Sequence, residues 1–199
     1  MLKTHQYFVA KYLVIRKKSC IFAVENITKN MNIMTWDEEK MKFLERYPDC
    51  PTAEDIEVLD LVMVKKYALE ILEGKKKVDF RACSEHYSSR LYDKKVLGFL
   101  DKHKDDEEVQ QALEKGFIEP LRIVRAIHFH NYTNDWYMDI ECTANEIMAL
   151  IPRDIEFLQE TYNCHEWDEA LAEKEAKNEK ERPCWFWFAL GEVLGTNLK

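Results

Sequence analysis

The chain has 199 residues, 46% hydrophobic and 33% charged, with a formal net charge of −8. That mixture excludes a disordered chain and specifies a packed core under a solvated surface, enough for one ordinary domain with or without an appendage. The acidic balance disfavours broad phosphate binding, which rests on many Lys and Arg contacts, and suits basic protein partners.

Only five glycines and five prolines argue against a turn-dense sandwich, so helices should dominate. The apolar runs are broken by charges long before the ~20 residues needed to span a membrane. Cys20, Cys50, Cys83, Cys142, Cys164 and Cys184 are evenly spread and form no C-x-x-C pair. They match neither a disulfide scaffold nor a structural zinc site, and read as reduced thiols of a cytoplasmic protein.

Residues 1–34 stand apart, carrying +5 and leaving −13 for the remainder. Two apolar runs flank Arg16-Lys17-Lys18-Ser19, a pattern for a basic appendage that is either a β-hairpin or partly disordered. Helical signals begin with Thr35 and Glu38, a capping box, followed by Trp36, Phe43, Leu44 and Tyr47 on one face. Thr52, with Glu54 and Asp55 behind it, predicts a long central helix through Ile56, Leu59, Met63 and Leu69, ended by Gly74. A third helix is expected from Ser84 to His103, and a fourth from Asp105 to Gly116.

Residues 122–141 read differently. Arg122 to His130 is rich in β-branched and aromatic residues, Asn131 to Asp135 is a turn cluster, and Trp136 to Glu141 resumes alternation, which predicts a β-hairpin. A helix starting near Pro120 is the competing reading of the same short apolar run. Thr143 and Glu146 form a second capping box, Asp154 to Tyr162 is helical, and another helix opens at Asn163 and becomes polar beyond Leu171. The expected fold is therefore α+β but mainly α-helical. It has a helical bundle-like core with one or two short β-hairpins, and residues 35–199 form a single globular domain.

The hairpin carries the candidate chemistry. Residues two apart on a strand share a face, so His128 and His130 point together, as do Asp139 and Glu141. If the register aligns the two sets, His128, His130, Asp139 and Glu141 converge as ligands for a divalent metal; a one-residue slip separates them. The spacing Arg-x4-His occurs as Arg81/His86 and as Arg125/His130. Over those six residues it resembles the motif of HEPN-type ribonuclease domains, which implies a small helical bundle with the Arg and His working on the RNA phosphate and 2′-hydroxyl. Arg81 lacks the polar neighbour usual in that family. His128 and His130 are also natural acid–base groups near neutral pH.

The run Trp185-Phe186-Trp187-Phe188 reads either as core closure or as a partner-binding patch anchored by Trp185 and Trp187. No Gly-rich phosphate loop, H-E-x-x-H or G-x-S-x-G is present, which disfavours the common cofactor and nucleotide enzymes. The leading expectation is a small acidic interaction protein that binds and regulates or neutralises another protein, a basic one suiting its charge, immunity- or antitoxin-like in class. It expects no cofactor, membrane or nucleic acid. The alternative is a hydrolase, either metal-dependent through His128, His130, Asp139 and Glu141 or a metal-free ribonuclease using Arg125 and His130.

Overall fold

The structure, a computed structural model, describes residues 35–149, 151–167 and 184–199. The appendage expected at 1–34 and everything beyond Trp167 of the helix expected to open at Asn163 lie outside the described residues. Asn163 to Trp167 are not helical, and Asn163 is the left-handed C-cap that ends the helix Pro152–Tyr162. The chain divides into two compact units, residues 1–53 with 89–122 and residues 54–88 with 123–199.

The first unit contains α1 (Trp36–Arg46), α4 (Lys94–Lys102) and α5 (Glu107–Glu114). Thr35 and Glu38 close the expected capping box at α1, each side chain accepting the other's backbone N–H. Asp93 caps α4 and Asp106 caps α5, satisfying N–H groups that a helix start otherwise leaves unpaired. Apolar residues at helical spacing bury one shared core of Phe43, Val96, Phe99, Leu100, Val109 and Leu113, with Phe117 and Ile118 from the following loop. The Tyr47 hydroxyl donates to Asp106 at 2.8 Å, tying the end of α1 to the start of α5.

The second unit is built on a five-stranded sheet ordered β1-β3-β4-β5-β2. Its strands are β1 (Ile56–Val62), β2 (Val78–Ala82), β3 (Val124–His130), β4 (Tyr137–Ala149) and β5 (Cys184–Thr196). β1 runs parallel to β3, and every other pairing is antiparallel. The helices α2 (Lys65–Leu72) and α6 (Pro152–Tyr162) belong to this unit, while the boundary between units falls inside α3 (Glu85–Leu91). Gly74 and Gly116, each at positive φ, end α2 and α5 as their sequence positions predict.

A mainly helical, bundle-like body is thus corrected to a balanced α+β chain, with six helices and a five-stranded mixed sheet among the described residues. Two misread stretches account for most of the difference. Residues 56–62 form β1, the expected long helix surviving only as α2. Leu59 and Leu61 point inward while Val58 and Asp60 point outward, an alternation that the apolar spacing at 56, 59 and 63 conceals. Residues 143–149 continue β4 rather than opening a helix, because residues 144–149 pair with Cys184 to Ala189 of β5. The expected third helix is also split, with α3 ending at Leu91 and α4 restarting on the Asp93 cap.

Register sets the inward face. Leu59 pairs with Ile127 and Leu61 with Phe129; across the hairpin, Ile127 pairs with Ile140 and Phe129 with Met138. All six are at most 2% exposed, and each contributes roughly 1.5–3 kcal/mol of hydrophobic stabilisation. On the other side of β2 and β5, α6 covers a second cluster containing Val78, Met148, Ile155, Leu158, Trp187 and Ala189. Arg81 of β2 donates to Asp79 at 2.7 Å, to the Tyr87 hydroxyl at 3.2 Å and to the Val62 carbonyl of β1 at 3.0 Å. One side chain therefore links the two edge strands, so the sheet is strongly curled.

Candidate functional site: the outward face of the sheet

The hairpin predicted at 122–141 is present as β3 and β4, and its register places His128 directly opposite Asp139. The two meet at 2.6 Å, Nδ1 to Oδ1. The carboxylate accepts, so Nδ1 is the donor of this pair and the ring is fixed in orientation by it. His130 lies opposite Tyr137 and finds a different carboxylate. Its Nε2 sits 2.7 Å from Asp60 Oδ1, and its Nδ1 donates to the Asn131 carbonyl at 2.8 Å. Both ring nitrogens face acceptors. The bond to Asp60, followed by that to the Asn131 carbonyl, raises the His130 pKa above the usual imidazole range and favours the imidazolium.

The two imidazole rings stack with centroids 5.6 Å apart, and Tyr137 stacks on His128 at 5.8 Å. Glu141 pairs with Ala126, two positions along the strand, and its carboxylate lies over Gly191 of β5. A Cβ at Gly191 would meet Glu141 Oε2 at 2.5 Å and Thr143 Cγ2 at 2.8 Å. Glycine is what allows the two strands' side chains to lie this close.

His128, His130, Asp139 and Glu141 thus share a face, with each imidazole committed to its own carboxylate. Among the described residues, no three His, Cys, Asp or Glu side chains are grouped to hold a metal ion. Arg125 and His130 are five residues apart on one strand and so emerge on opposite faces. Arg125 pairs with Asp55 at 2.5 Å, while the Arg81 guanidinium is held by Asp79, Tyr87 and the Val62 carbonyl. The helical bundle implied by the ribonuclease resemblance is replaced here by the sheet. Trp187, 5% exposed, packs in the cluster beneath α6, and half-buried Trp185 packs against Trp167 with ring centroids 4.7 Å apart. The aromatic run packs into the core as part of β5, an interior strand of the sheet.

Asp60 is the residue of this face that the sequence reading missed. It stands beside His128 in the parallel β1–β3 register, a pairing hidden while 52–74 reads as a helix. The signal was the alternation of Val58, Asp60 and Val62 with Leu59 and Leu61.

A pocket of about 720 Å³ borders this face at the turn end of the hairpin. Val62, Met63 and Trp136 give it apolar walls, and Lys65, Asn131 and Asp135 give it polar ones. The turn is braced from within, as the Asn131 side chain accepts the Asp135 N–H at 2.8 Å and donates to Thr133 Oγ1 at 2.8 Å. Tyr132, at the pocket rim, is 90% exposed. No helix among the described residues is long and apolar enough to cross a membrane. No protein-family model, curated protein or solved structure matches the chain.

Proposed function

We propose that this chain is an interaction protein whose outward sheet face holds a basic segment of another protein, and that it regulates or neutralises that protein by occupying the segment. The observation that carries the reading is the convergence of Asp60, Asp139 and Glu141 with Tyr137 on one solvent-facing surface, beside a pocket walled by Val62 and Trp136. The Asp60 side chain is 64% exposed and the face also presents Val58 at 58%, so carboxylates and apolar surface are offered together. Such a surface suits Lys or Arg side chains flanking an apolar anchor, with charge steering the encounter and the anchor supplying contact area.

The test is titration of a Lys- and Arg-rich peptide carrying one aromatic residue, at low and high salt. Affinity should fall with salt. The combined Asp60→Asn, Asp139→Asn and Glu141→Gln variant should bind at least about tenfold more weakly, roughly 1.4 kcal/mol, with little change in melting. Salt-independent binding, or binding indifferent to these three changes, would sink the proposal.

The two His–Asp pairs favour a second reading, a metal-free hydrolase. His128, oriented by Asp139, is the base, and His130, held protonated by Asp60, is the acid. The surrounding carboxylates repel phosphate, which is why binding ranks first. RNA cleavage that persists in chelator and is abolished by His128→Ala without loss of folding would reverse the ranking.

A further inference from the structure

Cys83 and Cys184 lie across from each other where β2 and β5 meet, and nothing in the binding or acid–base readings uses them. The antiparallel register steps from Val78 and Ala189 to Ala82 and Trp185. One further step pairs Cys83 with Cys184, and the Cys83 N–H does donate to the Cys184 carbonyl, at 3.3 Å. Hydrogen-bonded antiparallel partners hold their Cα atoms about 5.5 Å apart with side chains on the same face, within the range that a disulfide spans. Both residues are free thiols and half-buried, so a small reagent can reach them.

From this geometry we infer that Cys83 and Cys184 are a cross-strand dithiol that low-molecular-weight disulfides oxidise to an intramolecular disulfide. Either sulfur can open the exchange, because each thiol has the other as its neighbour across the strands. The first cysteine's thiolate displaces one thiolate from the small disulfide, forming a mixed disulfide. The second cysteine then loses its proton and attacks the first cysteine's sulfur, expelling the second small thiol. Two electrons and two protons pass from the protein to the reagent, which leaves as two thiols. Two other described thiols are poorer competitors. Burial raises Cys142 to about 12, and burial followed by the Asp49 charge raises Cys50.

The product would join residues ~100 positions apart and staple edge strand β2, with its buried Asp79–Arg81 pair, to the neighbouring strand β5. The experiment uses the full chain, folded, in a buffer of oxidised and reduced glutathione, followed by acid quenching and non-reducing peptide mapping. The expected result is loss of two hydrogens per chain, one cross-linked peptide pair joining Cys83 to Cys184, and a melting temperature raised by roughly 5–10 °C. Dithiothreitol should reverse all three. Cys83→Ser should stop the reaction at a glutathione adduct on Cys184, and Cys184→Ser at an adduct on Cys83. A stable glutathione adduct on either cysteine of the unmutated chain would overturn the inference. So would a cross-link through any other cysteine, or no reaction in the folded protein.

Discussion

The two faces of the sheet are made by the same few residues read alternately. Along β3, Ile127 and Phe129 are fully buried, whereas His128 and His130 look out onto carboxylates. Along β1, Leu59 and Leu61 face in while Val58 and Asp60 face out, and β4 repeats the division with Met138 and Ile140 against Tyr137, Asp139 and Glu141. The inward face has one solution, because a row of packed aliphatic and aromatic side chains tolerates neither a slip nor a void. The outward face is held by hydrogen bonds that water competes for, and so is free to carry function. Stability and chemistry are thus separated by a single residue's step along the strand.

The largest test of that separation is Phe129→Ala. It should cost about 3–5 kcal/mol in denaturant unfolding, whereas neighbouring His128→Ala should cost under about 1 kcal/mol. Equal costs would break the assignment of faces. Asp79→Ala comes next. It strands the Arg81 guanidinium, whose side chain is only 15% exposed, and should cost about 3 kcal/mol. The exposed counterpart, Asp55→Ala opposite Arg125, should cost less than about 1 kcal/mol, so the pair of variants separates buried from solvated charge.

Gly191→Ala probes the one crowded place described on the outward face. An added methyl must displace the Glu141 carboxylate and press on Thr143, for a cost of about 1–2 kcal/mol. Paired Glu141→Ala should recover part of it. The smallest effect is the most diagnostic of the site. The His130 pKa is raised by Asp60 and the Asn131 carbonyl, so folding gains stability below the unfolded imidazole value of about 6.5. That gain is lost as pH rises through the folded pKa. Thermal melts of wild type and Asp60→Asn should accordingly differ most in mild acid and converge at alkaline pH. A gap that widens with pH would contradict the pairing.

Much of this was readable before any coordinates. The Thr35–Glu38 box, the glycine stops at 74 and 116, and the hairpin at 122–141 are local signals, set by caps, positive φ and turn chemistry within a few residues. So was the nomination of His128, His130, Asp139 and Glu141 as side chains of a shared region. Ile56 to Val62 was not legible. Its apolar residues fit a helical period as well as a strand's, and only the partner strand 68 positions later, with Val124 opposite Ile56, decides between them. Thr143 to Ala149 was misread for the same reason, since β5 recruits it from the far end of the chain.

The sequence by itself determined the capped start at Thr35, the glycine stops at 74 and 116 and the hairpin turn, and which side chains are chemically capable. Tertiary structure alone decided which carboxylate each histidine meets. Asp139 reaches His128 through a hairpin register and Asp60 reaches His130 through a parallel strand, and register is a property of paired chains rather than of either one. The same rule sets Cys83 against Cys184, two residues that share no local pattern and become neighbours only because β2 adds to the edge of β5. Short-range sterics and hydrogen bonding write the caps, stops and turns; the burial of one shared face writes the pairings and, at β1 and the far end of β4, the element itself.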